Sequence, residues 1–175
     1  MPADARAALG AIEVVALDVD GVLTDGTFWW GPNGEEWKRF SFADVMGISR
    51  GCRAGLVFAL ISGEDSPIVD RFAQKLGIAE VHKGCKDKGA ALLSVAERLQ
   101  APRERICFVG DDVNDLPAFA AAGVSAAPSN AQPTVKEAAS LILSQAGGGG
   151  AVRELIELIL AARAAEISQP PDIRP

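Results

Sequence analysis

The chain has 175 residues, and its 17 basic and 23 acidic side chains give a formal net charge of −6. This length suits a single domain with one core, and a composition of 49% hydrophobic and 23% charged residues excludes extensive disorder. Because the sequence has no basic run, no apolar stretch of membrane length and no signal-peptide pattern, we expect a cytoplasmic protein that binds neither nucleic acid nor membranes.

Short apolar runs alternate with longer segments of helical pattern, which predicts strands that alternate with helices. In chain order, the predicted elements are a strand at 14–17, a β-hairpin at about 27–42, a helix at 44–53, a strand at 56–61, a helix at 65–76, a short strand at Val81, a helix at 88–99, a strand at 105–109, a helix at 116–122, strands at 124–126 and 141–143, and a helix at 151–166. This order predicts an α/β fold with a doubly wound, Rossmann-like parallel sheet. We expect one domain over residues 1–168 and a mobile, proline-rich tail at 169–175.

The few cysteines and the single histidine exclude several kinds of site. Cys52, Cys85 and Cys107 are widely spaced and form no CxxC pair, so neither a disulfide framework nor a zinc site is expected. His82 is the only histidine and no GxSxG segment is present, so the sequence does not predict a Ser-His-Asp triad. Acid–base chemistry therefore falls to carboxylates or lysines.

Two aspartates, Asp18 and Asp20, follow the first predicted strand and indicate a cation site. Positions i and i+2 of an extended chain point to the same side, where two unpaired carboxylates would repel each other. A divalent cation removes that repulsion, and oxygen ligands suit Mg²⁺. A second acidic group, which includes Asp111, follows another buried strand and is placed to complete the coordination.

The sequence between these acidic groups supplies side chains suited to binding phosphoryl oxygens. Ser62 and Gly63 follow a predicted strand and offer a hydroxyl and free backbone amides. Lys88 begins a predicted helix, where its charge adds to the amide-rich helix end. Because sites in such sheets form at the carboxyl ends of the strands, we expect these groups to meet there.

These segments together resemble a known family. The chain is similar to the haloacid dehalogenase-like phosphatases in four motifs, which are DVDGVLTDG at 18–26, ISG at 61–63, Lys88 and GDDVND at 110–115. From about Ile12 to Leu160 it resembles, more narrowly, the capless branch that includes the phosphatases of 3-deoxy-D-manno-octulosonate 8-phosphate and 2-keto-3-deoxynononate 9-phosphate. This narrower resemblance rests on VLTDG at 22–26, FADVMGI at 42–48 and GGGAVRE at 148–154.

The resemblance implies a Mg²⁺-dependent phosphomonoesterase that works through an aspartyl-phosphate. Asp18 would attack phosphorus, and Asp20 would protonate the leaving sugar oxygen and then take a proton from water. The Asp18 carboxylate, the Asp20 main-chain carbonyl and Asp111 would hold the metal.

The same resemblance implies roles for the other motif residues. Ser62, Gly63 and Lys88 would bind the remaining phosphoryl oxygens. Asp112 and Asp115 would orient Lys88 or the waters on the metal.

Two further positions, Glu64 and Lys75, bear on the substrate. Arginine is typical at the first of these positions in the octulosonate enzymes, where it would grip a sugar-acid carboxylate, whereas Glu64 would repel one and accept hydrogen bonds from hydroxyls. The two residues are expected on one helix face, too far apart to pair, so that each serves substrate from its own direction. Because this combination resembles the members that act on nine-carbon acids, we expect a preference for a nine-carbon 9-phosphate, with octulosonate 8-phosphate as the alternative.

The hairpin bears on assembly. Only about 35 residues separate Gly26 from Ser62, so a cap domain does not fit and the site would be open to water. The hairpin carries four aromatic residues, which give a two-stranded element a large apolar surface: Phe28, Trp29, Trp30 and Trp37. Either they fold onto their own domain or, as in the resembling branch, hairpins of several subunits pack together; we expect a homotetramer with shared active sites.

Two other function classes share some of these features. A phospho-acceptor signalling domain also uses strand-end aspartates, Mg²⁺ and a lysine, but it places its acceptor on a middle strand. A non-catalytic assembly domain would not need Asp18, Asp20, Ser62, Lys88 and Asp111 intact. A phosphate-release assay with and without Mg²⁺ distinguishes the three classes.

Overall fold

The structure is a computed structural model, and it describes residues 3–167; the predicted tail at 169–175 lies outside the described residues. The strands are β1 (Val14–Leu17), β2 (Trp29–Trp30), β3 (Glu36–Trp37), β4 (Val57–Ile61), β5 (Glu80–His82), β6 (Ile106–Val109), β7 (Val124–Ala127) and β8 (Leu141–Ile142). The α-helices are α1 (Ala3–Gly10), α2 (Phe42–Arg53), α3 (Pro67–Leu76), α4 (Lys88–Leu99), α5 (Leu116–Ala121), α6 (Pro133–Ala138) and α7 (Ala151–Ile167). Short 3₁₀ helices lie at Arg103–Arg105 and Val113–Asp115.

Six strands form one sheet in the order β5-β4-β1-β6-β7-β8, and every neighbouring pair is parallel. The chain adds strands outward from β1 first on the β4 side and then on the β6 side, so the strand order reverses at β1. Leu17, at the end of β1, is in register with Leu60 of β4 and Val109 of β6. The residues that follow these three strands therefore meet at a topological switch point, where α/β sheets bind ligands. The predicted α/β fold is confirmed.

The sheet separates two apolar clusters, one on each face. On one face, Leu17 and Val109 belong to a cluster that includes Leu155 of α7. On the other face, Phe108 belongs to a cluster that includes Leu92 of α4. All four residues of β1 are buried, as expected for a strand covered by helices on both faces.

Local capping sets the helix boundaries next to the site. The Ser66 hydroxyl accepts a hydrogen bond from the Ile68 amide, and Pro67 occupies the first helical position, so α3 begins at Pro67 and not at the predicted position 65. Asp87 accepts a hydrogen bond from the Ala90 amide and caps α4, which begins at Lys88 as predicted.

Two helices were not predicted. α1 has only a weak amphipathic pattern and α6 has six residues, so neither gives the periodic signal that indicates a helix. Among the described residues, no helix is both long enough and apolar enough to cross a membrane.

The hairpin is confirmed, with shorter strands than predicted. β2 and β3 pair antiparallel, with Trp29 opposite Trp37 and Trp30 opposite Glu36. Its aromatic side chains are not folded onto the domain, because each of these residues is about half exposed or more: Phe28 52%, Trp29 49%, Trp30 73% and Trp37 54%.

Candidate active site

The loop after β1 carries two aspartates in different environments. Asp18 is buried, and burial together with the charge of Asp115 raises the pKa of its carboxyl. Asp20 is partly exposed, and both aspartates line one cavity of about 230 Å³. The buried Thr24 hydroxyl organises this loop, because it accepts hydrogen bonds from the Gly21 and Gly26 amides.

Lys88 lies between two buried carboxylates. Its Nζ is 2.9 Å from Asp18 Oδ1 and 2.6 Å from Asp115 Oδ1, and all three side chains are less than 10% exposed. Although burial alone lowers the pKa of Lys88, the charges of Asp18 and Asp115 raise it above its usual value. The lysine is therefore a fixed positive charge beside Asp18.

The segment after β6, residues 110–115, supplies two of three clustered carboxylates that could hold a cation. Carboxylate oxygens of Asp18, Asp111 and Asp115 lie within 4.8 Å of one another. Asp115 Oδ2 accepts hydrogen bonds from the Asp111 and Asp112 amides, in addition to the bond from Lys88 to its other oxygen, so Asp115 is already engaged.

Of these three carboxylates, Asp18 and Asp111 have fewer hydrogen bonds than Asp115 and are the more available to a cation. Burial, with the charges of Asp115 and Asp112, raises the pKa of Asp111 to about 7. Partly buried oxygen ligands crowded in this way fit a hard divalent cation such as Mg²⁺, which would compensate the charge that burial disfavours.

The loop after β4 forms another wall of the same cavity. Gly63 and Glu64 line it together with Lys88. The Ser62 hydroxyl is buried and accepts a hydrogen bond from the Glu64 amide. The structure therefore brings this loop to Lys88 and the acidic groups, as the motif positions predicted.

Asp112 and Asp115 occupy distinct positions. Asp115 is fully buried and contacts Lys88 directly. Asp112 lines the cavity, and its carboxylate accepts a hydrogen bond from the Val113 amide. Asp115 is thus the residue of this pair that orients Lys88.

Sequence reasoning missed two residues of the cavity region. Lys38, on the hairpin, has an ammonium group 2.9 Å from Asp20 Oδ2 and 3.3 Å from Glu36 Oε1, with only 5% of its side chain exposed. No local pattern links it to Asp20, eighteen positions away. Asn114 also lines the cavity, and its position inside the GDDVND motif was the signal that could have identified it.

The predicted placement of Glu64 and Lys75 on one helix is wrong. Glu64 precedes Ser66, the cap of α3, and lines the acidic cavity. Lys75 lies on α3 and lines a different cavity, of about 390 Å³, between the hairpin and α3. Of these two residues of one chain, Glu64 is the one placed to meet a ligand at the acidic groups.

Comparison with known proteins identifies similar chains. The family model described as haloacid dehalogenase-like hydrolase matches residues 42–123. A 3-deoxy-D-manno-octulosonate 8-phosphate phosphatase of Haemophilus influenzae is 41% identical over 152 residues, which cover 87% of this chain and 84% of the relative. The enzyme of the same name from Escherichia coli K12 is 37% identical over 161 residues, covering 92% and 86%.

A solved structure is similar over nearly the whole chain. The crystal structure of 3-deoxy-D-manno-octulosonate 8-phosphate phosphatase from Moraxella catarrhalis, in complex with magnesium ion, phosphate ion and the sugar acid KDO, matches with a TM-score of 0.89. It is 34% identical, and the match covers 94% of this chain and 97% of that one.

Proposed function

This chain belongs to the haloacid dehalogenase-like hydrolases, in the branch of the 3-deoxy-D-manno-octulosonate 8-phosphate phosphatases, and we propose that it hydrolyses the phosphate ester of a 2-keto-3-deoxy sugar acid with Mg²⁺. It is a phosphatase. The observation that carries the proposal is the buried group of Asp18, Lys88 and Asp111 at the switch point of the sheet. The magnesium and phosphate ions named for the Moraxella structure support both the metal and the reaction.

We assign the metal to three groups of this chain. The carboxylates of Asp18 and Asp111 and the main-chain carbonyl of Asp20 would hold Mg²⁺. When bound, it would neutralise negative charge on the phosphoryl group during transfer.

The proposed reaction has two steps, which are transfer of the phosphoryl group to Asp18 and hydrolysis of the aspartyl-phosphate. In the first, an oxygen of Asp18 attacks phosphorus, the bond from phosphorus to the sugar oxygen breaks, and Asp20 gives that oxygen a proton. In the second, Asp20 takes a proton from water, the water oxygen attacks phosphorus, and Asp18 leaves as a carboxylate. Lys88 and the Gly63 amide hold the phosphoryl oxygens, and Ser62 is assigned to the same task, because its hydroxyl accepts from the Glu64 amide and still has a proton to donate.

Two classes of ester are candidate substrates, an eight-carbon 8-phosphate and a nine-carbon 9-phosphate. The relatives support 3-deoxy-D-manno-octulosonate 8-phosphate, which we propose as the first candidate. One observation favours a nine-carbon 9-phosphate instead, which is that the cavity is lined by Glu64 and not by the arginine that is typical of the octulosonate enzymes at this position. Lys75 would contribute only from a neighbouring subunit.

Phosphate release from three esters tests the proposal. The esters are octulosonate 8-phosphate, 2-keto-3-deoxynononate 9-phosphate and N-acetylneuraminate 9-phosphate, each with Mg²⁺ and with EDTA. We expect turnover that requires Mg²⁺, and no turnover of any ester would contradict the phosphatase proposal. Glu64→Arg should shift kcat/KM towards the eight-carbon ester about tenfold if residue 64 selects the substrate, and an unchanged ratio would exclude that role.

We also propose that the chain forms a homotetramer in which neighbouring hairpins cover the active sites. The exposed hairpin aromatics support this, because a patch of this kind is typical of an interaction surface. A cytoplasmic location remains a prediction.

A further inference from the structure

One loop contacts both acidic segments of the site. It covers residues 128–132, between β7 and α6. The Asn130 side-chain amide donates a hydrogen bond of 3.0 Å to the Gly21 carbonyl, next to Asp20. The Gln132 amide donates one of 2.8 Å to the Asp111 carbonyl. The loop therefore connects the segment after β1 to the segment after β6.

The other end of the Asn130 amide is also bonded. Its Oδ1 accepts a hydrogen bond of 2.7 Å from the Gly147 amide, at the start of the glycine-rich turn formed by residues 147–150. The next residue, Gly148, donates to the Val22 carbonyl at 3.0 Å. Asn130 thus holds the loop after β1 and the glycine-rich turn in one arrangement with a single side chain.

The glycine-rich turn lies directly against the same carbonyl. A Cβ at Gly147 would be 1.8 Å from the Gly21 carbonyl oxygen, and a Cβ at Gly148 would be 2.6 Å from the Asp25 amide. Such contacts do not occur, so the turn reaches the loop after β1 only because both positions are glycine.

Gly21 in turn lies directly against a proposed metal ligand. Its φ is +83°, and a Cβ built on it would be 2.0 Å from Asp111 Oδ2. Nothing but a Cα hydrogen fits between this backbone and the Asp111 carboxylate. A shift of Gly21 therefore changes the space available to Asp111 and moves the adjacent Asp20 carbonyl.

We propose that Asn130 is a positioning residue for the Mg²⁺ site. By fixing the Gly21 carbonyl, whose residue lies directly against Asp111, it sets the separation of the Asp20 carbonyl from the Asp111 carboxylate. The inference rests on the proposed Mg²⁺-dependent phosphatase function. It assigns to Asn130 no contact with substrate.

Magnesium binding, measured by titration calorimetry on Asn130→Ala, tests the inference without relying on turnover. Losing both amide bonds frees Gly21, so we expect the Kd for Mg²⁺ to rise about tenfold and kcat at limiting Mg²⁺ to fall similarly. The KM for the ester at saturating Mg²⁺ should stay within twofold, because phosphate and sugar contacts are unaffected. The control is Ser129→Ala, since within the described residues the neighbouring Ser129 hydroxyl makes no hydrogen bond; it should match wild type.

A second variant keeps the test valid if Asn130→Ala does not fold. Asn130→Asp preserves the shape and the acceptor for the Gly147 amide but replaces the donor to the Gly21 carbonyl with an oxygen that repels it, so it should also raise the Kd for Mg²⁺. Unchanged Mg²⁺ affinity in a folded variant would overturn the inference. A raised KM together with a lowered kcat at saturating Mg²⁺ would overturn it as well. A wild-type protein without phosphatase activity would instead overturn the proposed function.

Discussion

At the scale of single residues, ion pairs position the charged side chains of the site. Lys88 is flanked by Asp18 and Asp115, so its position is fixed from two sides before any ligand binds. Asp20, in contrast, is paired with the hairpin residue Lys38, whose pKa is raised by Asp20 and Glu36 although burial alone would lower it. The acid–base group proposed for the reaction is thus held by an element outside the sheet.

Substitution of Lys38 tests that contact. In Lys38→Met the side chain keeps most of its apolar length and loses its ammonium group, so Asp20 loses the partner that holds its carboxylate. We expect kcat to fall about tenfold, an effect of roughly 1.4 kcal/mol, with KM changing less. Arg39→Met is the matched control on the same hairpin, because Arg39 is exposed and pairs with Asp25; steady-state kinetics should show it within twofold of wild type. Equal losses in both variants would mean that the hairpin charge in general, and not the Asp20 contact, matters.

Sequence reasoning found the site residues that lie in local motifs and missed those that depend on distant contacts. Asp18, Asp20 and Lys88 follow predicted strands or begin a predicted helix, so their meeting could be foreseen from the topology. Lys38 reaches Asp20 only through the path of the hairpin, and Asn130 bonds to Gly21 from 109 positions away. Such contacts have no periodicity or spacing that a single sequence reveals.

At the scale of elements, the start of α7 is fixed to both neighbouring segments. Asp44 of α2 accepts hydrogen bonds from the Gly150 and Arg153 amides, and burial raises the pKa of its carboxyl despite these bonds. Glu154, in the first turn of α7, accepts bonds from the Ser144 amide and hydroxyl and from the Gln145 amide. These two carboxylates hold the glycine-rich turn between them.

The stability contributed by Glu154 should depend on pH. Partial burial pushes its pKa up, but the bonds from Ser144 and Gln145 outweigh this and lower the pKa below the usual 4.5. An acid with a lowered folded pKa stabilises the fold above its unfolded pKa, and this stabilisation is lost as the pH falls through the folded value. Glu154→Gln should therefore reduce the free energy of unfolding at pH 7 by about 0.5–1 kcal/mol, a value discounted for solvent exposure.

Urea denaturation of wild type and Glu154→Gln between pH 7 and pH 3 measures this difference. It should stay constant down to about pH 4.5 and then shrink. A difference that grew as the pH fell would have the wrong sign for a lowered pKa. Glu157→Gln, on the same helix but paired with arginines at the surface, is a control that should change stability less.

Element boundaries were predictable where local chemistry defines them. β1 and α4 begin and end as predicted, because a continuous apolar run and a capping aspartate mark them. The start of α3 was set two residues too early, because Ser66 and Pro67, and not the acidic residue before them, form the helix start. α1 and α6 are too weakly amphipathic or too short to predict and depend on packing.

At the scale of the whole molecule, the open site and the aromatic hairpin have the same explanation in the proposed tetramer. A cap domain is absent from the described residues, and the cavity at Asp18 and Asp20 is open to solvent. A neighbouring hairpin would cover both the apolar surface and the site. The sequence predicted the exposed hairpin, but which copies meet there depends on contacts between chains.

Multi-angle light scattering tests this assembly. We expect a particle of four times the 18.2 kDa chain mass. Trp30→Arg, at the most exposed of the hairpin aromatics, should reduce the mass and also lower kcat/KM, because a charge on this surface opposes packing and uncovers the site. The conservative variant Trp30→Phe should remain assembled. A wild-type monomer with full activity at micromolar concentration would contradict the proposed tetramer.

Detection of an aspartyl-phosphate at Asp18 is the most direct test of the proposed mechanism. The measurement is an acid quench during turnover of ester labelled with ³²P, followed by counting of label attached to the protein. Wild type should carry label that hydroxylamine releases, whereas Asp18→Asn should carry none and should turn over at least about a thousandfold more slowly, since it lacks the nucleophile. Label retained by folded Asp18→Asn, or turnover near the wild-type rate, would contradict the assignment of Asp18 as the nucleophile.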